Sequence, residues 1–203
     1  MLSDALGRWA MAEPSVVLFV QIGSRTRESG TALAADSSSD WDYQIATTRP
    51  EMFADRSWLN ALGLVPLAYV VRGGRLGSAQ KLTALFAEGE LDLVLIQAAA
   101  LRELSQLVQS GGLGSHPQAM GAVIDLAAVL QGGYRLLKGA EEFGELYRHV
   151  ATRIPTPRLT DEALCALAEG FVCDYVSTLR KVERGELLAA QRWLHHLLVE
   201  TNY

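Results

Sequence analysis

Short apolar runs separated by turn residues fill the first half of this chain and restrict its fold more than any other feature. Ser15 to Ile22 is rich in β-branched and aromatic residues and ends at Gly23, which is typical of a buried strand. Trp41 to Ile45 alternates apolar and polar residues with the two-residue period of a strand that has two different faces. Three further runs predict strands: Leu64 to Arg72, Leu82 to Phe86 and Leu91 to Ile96. A helix is predicted over Glu51 to Leu62.

Helical spacing replaces these short runs in the second half of the chain. Three segments repeat apolar residues with the 3.6-residue period of a helix: Leu101 to Val108, Glu141 to Val150 and Thr160 to Val182. A last helix is predicted from Leu187 onward, and Gly132 to Leu137 is interpreted as a short strand or a connector. The sequence therefore predicts an α+β fold, with a mixed sheet and helices over residues 1–112 and a helical bundle over residues 113–203.

The longest predicted helix gives two specific expectations about its ends and its faces. Thr160 is a suitable N-cap, because its hydroxyl can accept a hydrogen bond from a backbone N–H of the first turn. Phe171, Tyr175 and Leu179 recur every four residues and are predicted to form the buried stripe of this helix.

Composition narrows the classes of function. The 203 residues carry a net charge of -5 with a pI near 5.4, so no broad basic surface is expected for binding nucleic acid. No window is apolar enough to span a bilayer and no leader segment is recognised, so membrane association is not expected. The two cysteines, Cys165 and Cys173, lie too far apart along one predicted helix for a disulfide and are interpreted as buried, reduced side chains. Together these features predict a cytoplasmic protein.

An acid pair follows the first predicted strand at a suggestive distance. Gly23 and Ser24 leave that strand, and Asp40 lies sixteen residues after Ser24, at the start of the next strand. Residues two apart on a strand point to the same face, so Asp40 and Asp42 are predicted to project together. Mg²⁺ binds one or two carboxylates together with water and phosphate oxygens. This pair is therefore a candidate magnesium site.

A third acid, Asp92, lies within the otherwise apolar run Leu91 to Ile96. A buried, ionised carboxylate costs several kcal/mol unless it is paired, so either this strand end is open to solvent or a cation lies beside Asp92. We favour the cation, in which case Asp92 either holds a second metal ion or accepts the proton of an attacking hydroxyl.

The turn after the first strand offers groups that suit a nucleotide phosphate tail. Gly23 allows the backbone to approach phosphate closely, and Ser24 offers a hydroxyl and an amide. Arg25 or Arg27 is predicted to pair with the charge that develops during the reaction.

Each signal has a plain structural explanation when taken alone. Asp40 and Asp42 fit the solvent face of an amphipathic strand, and Asp92 fits an exposed position near a turn. The segment 72–78 is glycine-rich but lacks the spacing of a phosphate-binding loop, so it is interpreted as a hairpin loop. His195 and His196 are adjacent on a predicted helix, which is not the spacing of a helical zinc pair. The conjunction of the Gly-Ser turn with three acids on successive strands favours the functional interpretation.

Four segments carry a resemblance to a known family. They are Ile22-Gly23-Ser24-Arg25-Thr26-Arg27, Ser39 to Tyr43, Phe53 to Gly63 and Leu91 to Ile96. In order and spacing they resemble the streptomycin (aminoglycoside 6-) adenylyltransferase family, within the polymerase-β-like nucleotidyltransferase superfamily. A fainter resemblance continues through Arg184-Gly185-Glu186-Leu187, so most of the chain is covered.

The resemblance implies a polymerase-β-like nucleotidyltransferase domain that transfers AMP from ATP to a hydroxyl of a small, cationic, aminoglycoside-like acceptor with the help of Mg²⁺. It implies metal binding by Asp40 and Asp42, a third carboxylate at Asp92 and phosphate contacts from Ser24 and Arg25. Glu186 is its candidate for binding the acceptor. Two alternatives stay open: an enzyme that modifies a protein or another metabolite, and an interaction protein such as a toxin-antitoxin component.

Overall fold

The computed structural model describes residues 2–27, 35–36, 39–73, 79–155 and 160–201, with side chains described as far as residue 194. The chain divides into two compact units, Met1–Thr156 and Pro157–Tyr203. Most of the predicted hairpin loop (residues 74–78) lies outside the described residues, as do the side chains of His195 and His196. Within the described ranges, no helix has the length and apolar character needed to cross a bilayer.

A six-stranded mixed sheet forms the centre of the first unit. Its strands are β1 (Val16–Ile22), β2 (Trp41–Thr47), β3 (Ala68–Gly73), β4 (Gln80–Phe86), β5 (Gly89–Gln97) and β6 (Tyr134–Lys138). They lie in the order β3-β4-β5-β2-β1-β6, with β2 and β5 parallel and every other neighbouring pair antiparallel. The mixed sheet and its flanking helices confirm the predicted α+β class.

Helices cover both faces of this sheet. The α-helices of the first unit are α1 (Leu2–Ala12), α2 (Ala98–Gln109), α3 (Pro117–Leu130) and α4 (Ala140–Arg153). Those of the second unit are α5 (Asp161–Glu183) and α6 (Leu187–Thr201). Apolar residues of α1 share one core with Tyr43 and Ile45 of β2, as the alternation of that strand predicted. Residues of α2, α3 and α4 share a second core with Leu18, Val20 and Ile22 of β1, on the opposite face. The sheet therefore separates two hydrophobic layers.

The predicted helix over Glu51 to Leu62 is wrong in its form. This segment contains two short 3₁₀ helices, Pro50–Phe53 and Arg56–Leu62. Asp55 separates them, because its backbone is extended and its carboxylate accepts a hydrogen bond from the N–H of Ser57 at 2.7 Å. The buried side chains of Phe53, Trp58 and Leu59 nevertheless pack into the first core.

The first compact unit extends well beyond the domain boundary predicted at residue 112. β6 pairs with β1, with Val20 opposite Leu136. Lys138 at the end of β6 donates hydrogen bonds to the carbonyl oxygens of Ala10, Met11 and Glu13 at 2.9, 3.3 and 2.9 Å. Because β6, α3 and α4 complete the sheet and its second core, the division between compact units falls after Thr156.

The second unit contains α5 and α6. Thr160 caps α5 by accepting a hydrogen bond from the N–H of Ala163 at 3.1 Å, which confirms its predicted role. The predicted buried stripe is wrong, because Phe171, Tyr175 and Leu179 are 40%, 46% and 44% exposed. The predicted burial of the cysteines is wrong for the same reason: Cys165 and Cys173 are free and exposed on this helix. A pair of helices buries only the side chains that lie between them.

Candidate active site

The parallel pairing of β2 with β5 brings two of the predicted acids together. Asp42 lies directly opposite Asp92 in the register of the two strands. Paired residues of neighbouring strands point to the same face of a sheet, so both carboxylates project from the face that carries α2, α3 and α4. Asp92 is nearly buried, with 9% of its surface exposed.

The Gly-Ser turn lies against this acid pair. Gly23 has φ 77° and ψ −159°, a conformation that a residue with a side chain rarely adopts. A Cβ atom at position 23 would lie 2.6 Å from Oδ2 of Asp42. A short 3₁₀ helix, Ser24–Thr26, follows at once. The backbone at Gly23 therefore lies directly against the carboxylate of Asp42.

Asp42 is in a strongly acidic environment. Burial, reinforced by the negative charges of Asp92 and Asp40, raises the pKa of Asp42 to about 6. Asp40 itself is exposed and lies immediately before β2. Burial and the charges of Asp92 and Asp40 also raise the pKa of Glu90, which lies two residues before Asp92 on β5. The negative charges of neighbouring carboxylates thus act on Asp42 and on Glu90, where β2 and β5 begin.

The cation beside Asp92 is Lys81, a residue that the sequence analysis did not select. Its ammonium Nζ lies 2.6 Å from Oδ2 of Asp92. The hydroxyl of Thr83 donates a hydrogen bond to the other oxygen, Oδ1, at 2.6 Å. Both partners come from β4, where Thr83 lies directly opposite Asp92. The buried charge of Asp92 is therefore compensated by the protein itself.

The two arginines of the Gly-Ser turn contact the protein backbone. Arg25 donates hydrogen bonds to the carbonyl oxygens of Asp40, at 2.9 Å, and of Ser39, and its guanidinium lies 4.2 Å from the centroid of the Trp41 ring. Arg27 donates from Nε to the carbonyl of Gly132 at 3.1 Å. These contacts hold the turn after β1 against the residues just before β2 and against Gly132, just before β6. The predicted phosphate contacts of Arg25 and Arg27 stay predictions.

The remaining predicted site residue, Glu186, belongs to the second unit. It is exposed, and its carboxylate lies 3.5 Å from Nζ of Lys181 and 3.1 Å from Nε of Arg184. Its role in binding an acceptor stays a prediction.

A ready-made metal cage is absent from the described part of the chain. There, no group of three or more His, Cys, Asp or Glu side chains is arranged to hold a metal ion. Asp40, Asp42 and Asp92 are consequently neighbours without being a preformed three-carboxylate site. Their metal-binding roles stay predictions.

Comparisons with known proteins give little further guidance. No protein-family model matches this chain, and no curated protein matches it. Among solved structures, an aminoglycoside 6-adenyltransferase from Bacillus subtilis aligns with a TM-score of 0.37 and 12% identity. The alignment covers 95% of this chain and 60% of that protein, so the chain spans less than two thirds of its length. Similarity at this level assigns no family.

A buried polar pair lies next to the acids on the same face of β2. Gln44 is fully buried, and its Oε1 accepts a hydrogen bond from the hydroxyl of Tyr147 at 2.9 Å. The amide nitrogen of Gln44 has no hydrogen-bond partner among the residues that the structure describes. Burial raises the pKa of Tyr147 well above its usual range, so this hydroxyl stays protonated. The pair connects the acid-bearing strand to α4.

A cavity of about 610 Å³ lies beside α2 and α3 in the first unit. Its walls are mostly apolar, including Ile96, Leu104 and Leu107, while Glu103 and Asp125 contribute carboxylates. Ile96 shares a face of β5 with Asp92, because the two residues are separated by an even number of positions. The cavity therefore opens on the same side of the sheet as the acids.

Proposed function

We propose that this protein is a divalent-metal-dependent nucleotidyltransferase, which moves AMP from ATP to a hydroxyl of a small, polyhydroxylated and cationic acceptor of the aminoglycoside type. The observation that carries the proposal is the juxtaposition of Asp42 with both Asp92 and the backbone of Gly23. A phosphate tail needs close backbone approach beside carboxylates that can hold its metal ion, and the position of these three residues supports such a site.

The donor set at Asp42 suits Mg²⁺. Asp42 is partly buried among carboxylates, and the resulting rise in its pKa is the electrostatic condition that a divalent cation would relieve. Asp40 lies two residues away and is exposed, so it can join Asp42 in binding the ion. Water and phosphate oxygens would supply the further ligands that Mg²⁺ needs. When bound, Mg²⁺ neutralises charge on the triphosphate and on the leaving pyrophosphate.

The proposed reaction needs one bond made and one bond broken. The acceptor oxygen attacks the α-phosphorus in line, and the bond from that phosphorus to the bridging oxygen breaks, so pyrophosphate leaves. The proton of the attacking hydroxyl passes to Asp92, which is the acid paired with Lys81. Gly23 and Ser24 contact the phosphate tail, while Arg25 keeps the segment before β2 in position through its bonds to Ser39 and Asp40.

Charge supports the choice of a cationic acceptor. The site collects Asp40, Asp42, Glu90 and Asp92, and the chain as a whole carries a net charge of -5. An anionic or nucleic-acid acceptor would be repelled by this arrangement, whereas an aminocyclitol with several ammonium groups would be attracted. Glu186 is proposed as a further contact for such groups.

Pyrophosphate release tests the proposal directly. Purified protein is incubated with ATP, Mg²⁺ and a panel of aminoglycosides, and pyrophosphate is measured with a coupled enzyme assay. We expect release that depends on Mg²⁺, on one or more acceptors and on an intact Asp42. Absence of release with every aminoglycoside and every nucleoside triphosphate would exclude the antibiotic-modifying activity.

One observation favours a second candidate function, that of an interaction protein that binds a partner through its helical half. Large apolar side chains are exposed along α5, among them Leu164, Val172 and Val182 at 54%, 56% and 48%. Calorimetry with ATP and Mg²⁺ separates the two candidates. Micromolar binding supports the enzyme, and failure to bind together with a stoichiometric partner chain supports the interaction protein. Release of pyrophosphate with a protein or another metabolite as acceptor would instead support an enzyme that modifies such an acceptor.

A further inference from the structure

Asp92 differs from the other acids of the site because both of its oxygens already have partners. Nζ of Lys81 lies 2.6 Å from Oδ2, and Oγ1 of Thr83 lies 2.6 Å from Oδ1. The side chain of Asp92 is only 12% exposed, so little of the carboxylate faces solvent. A metal ion that bound Asp92 would have to share one of its oxygens with the ammonium of Lys81 or the hydroxyl of Thr83.

The two partners are held in place by the sheet. β5 lies between β4 and β2, so Asp92 has Thr83 opposite it on one side and Asp42 opposite it on the other. On β4, Lys81 lies opposite Val94 of β5. It is two residues from Thr83, so the two side chains lie on the same face of the strand. Lys81 and Thr83 therefore reach Asp92 from β4, the strand on the other side of β5 from β2.

The charges on this face are unequally compensated. Asp92 has a close ion pair, whereas Asp42 is surrounded by the negative charges of Asp92, Asp40 and Glu90, with Lys81 as the cation that acts on it. A divalent ion is therefore attracted to the Asp42 side of the pair. On the Asp92 side it would meet the like charge of the ammonium.

We propose that Lys81 is a positioning residue that holds the carboxylate of Asp92 and takes the place of a second divalent ion, so that the site binds a single metal ion through Asp42 and Asp40. This inference rests on the proposed function. It assigns the Asp92 side of the site to the proton of the acceptor hydroxyl and the Asp42 side to the metal-bound nucleotide.

Counting metal ions tests this inference without measuring turnover. Mn²⁺ is titrated into the protein in the presence of a non-hydrolysable ATP analogue, and free Mn²⁺ is followed by electron paramagnetic resonance. We expect about one ion per chain in the wild type and about two in Lys81→Met, because the freed Asp92 can then act as a ligand. Lys81→Arg keeps the charge and is expected to bind about one ion.

The control variant removes an ion pair of the same length at another place. Arg102 lies 2.6 Å from Glu142 between α2 and α4, and both side chains are more than two fifths exposed. Arg102→Met is expected to leave the metal count unchanged. Circular dichroism of each variant verifies that it is folded, and Lys81→Ala replaces Lys81→Met should the latter not fold.

The outcomes distinguish failure of the single-ion inference from failure of the proposed function. Two ions in the wild type, or one ion in the folded variants that lack the Lys81 charge, would overturn the single-ion inference. If the wild type nevertheless released pyrophosphate, the proposed function would stand. No bound Mn²⁺ in any folded protein, with the nucleotide analogue present, would overturn both the inference and the metal-dependent function.

Discussion

The carboxylate of Asp42 packs directly against the backbone of Gly23, in a gap that has no room for a side chain. This relationship connects the turn after β1 to the acid on β2. The contact therefore brings together Gly23 and Asp42, which are separated in the sequence by the segment between β1 and β2.

Gly23→Ala should reduce both stability and activity. The backbone of Gly23, with φ 77° and ψ −159°, lies in a region that is essentially restricted to glycine, which costs a residue with a Cβ about 1 to 3 kcal/mol, and the new methyl group would also displace Asp42. Gly63→Ala is the matched control, because Gly63 has φ 67° but no atom within 4 Å of its added Cβ. Urea unfolding should show a larger loss of stability in Gly23→Ala than in Gly63→Ala, and pyrophosphate release should fall in Gly23→Ala alone. Equal activity in the two variants would mean that the contact with Asp42 has no functional role.

Asp42→Asn should nearly abolish nucleotidyl transfer while leaving the fold intact. The substitution removes the charge of a metal ligand with little change in shape, and losing several kcal/mol of charge stabilisation lowers the rate by about a hundredfold or more. Asp161→Asn, in the exposed first turn of α5, is the control and should keep full activity. Steady-state pyrophosphate release measures both. Undiminished activity in Asp42→Asn would remove Asp42 from the mechanism.

The raised pKa of Asp42 predicts a specific pH dependence of stability. Because this pKa is about 6 in the folded protein and the usual value is 3.8, the folded state binds the proton more tightly. The contribution of Asp42 therefore favours the folded state at low pH and is lost as pH rises through about 6. In metal-free buffer, Asp42→Asn should be more stable than the wild type at pH 7, by about 1 to 3 kcal/mol.

That difference should shrink as the pH is lowered from 7 towards 4, since Asp42 then becomes neutral in the wild type as well. Urea unfolding of both proteins with EDTA at several pH values measures it. A difference that is constant across this range would show that Asp42 titrates normally.

Gln44 and Tyr147 should behave as one energetic unit. Tyr147→Phe leaves Oε1 of Gln44 without its donor and should cost about 1 to 3 kcal/mol, because that oxygen is buried. Gln44→Leu combined with Tyr147→Phe removes every polar atom of the pair and should restore most of this loss. A double-mutant cycle by urea unfolding gives the coupling energy, and simple additivity of the two single changes would contradict the prediction.

Local pattern was sufficient for the strands and for α4, α5 and α6 of the second half, whereas α3 was not predicted. Val16–Ile22 and Trp41–Thr47 form where β-branched runs and two-residue alternation predicted them. α1 was not predicted, although Leu2, Leu6 and Ala10 recur at helical spacing and are buried. An apolar repeat shows which face of a helix is apolar but not what covers it, which explains why Phe171 is exposed.

The site was predictable only where its residues are close in sequence or in a recognisable order. Gly23 and Asp42 could be selected because a strand, a turn and a second strand follow one another. Lys81 could not, since nothing in the alternation of β4 reveals which residue of β5 lies beside it. Strand order and register decide that contact, and both depend on the whole sheet.

The pairing of β6 with β1 also affects how this protein is made. During synthesis, β1 and β2 emerge long before Tyr134–Lys138, so the outer edge of β1 has no partner until the ribosome has passed β6. An exposed strand edge is a template for association with other chains. A truncated translation product that ends before Tyr134 should therefore aggregate or require a chaperone, even though it contains Asp40, Asp42 and Asp92.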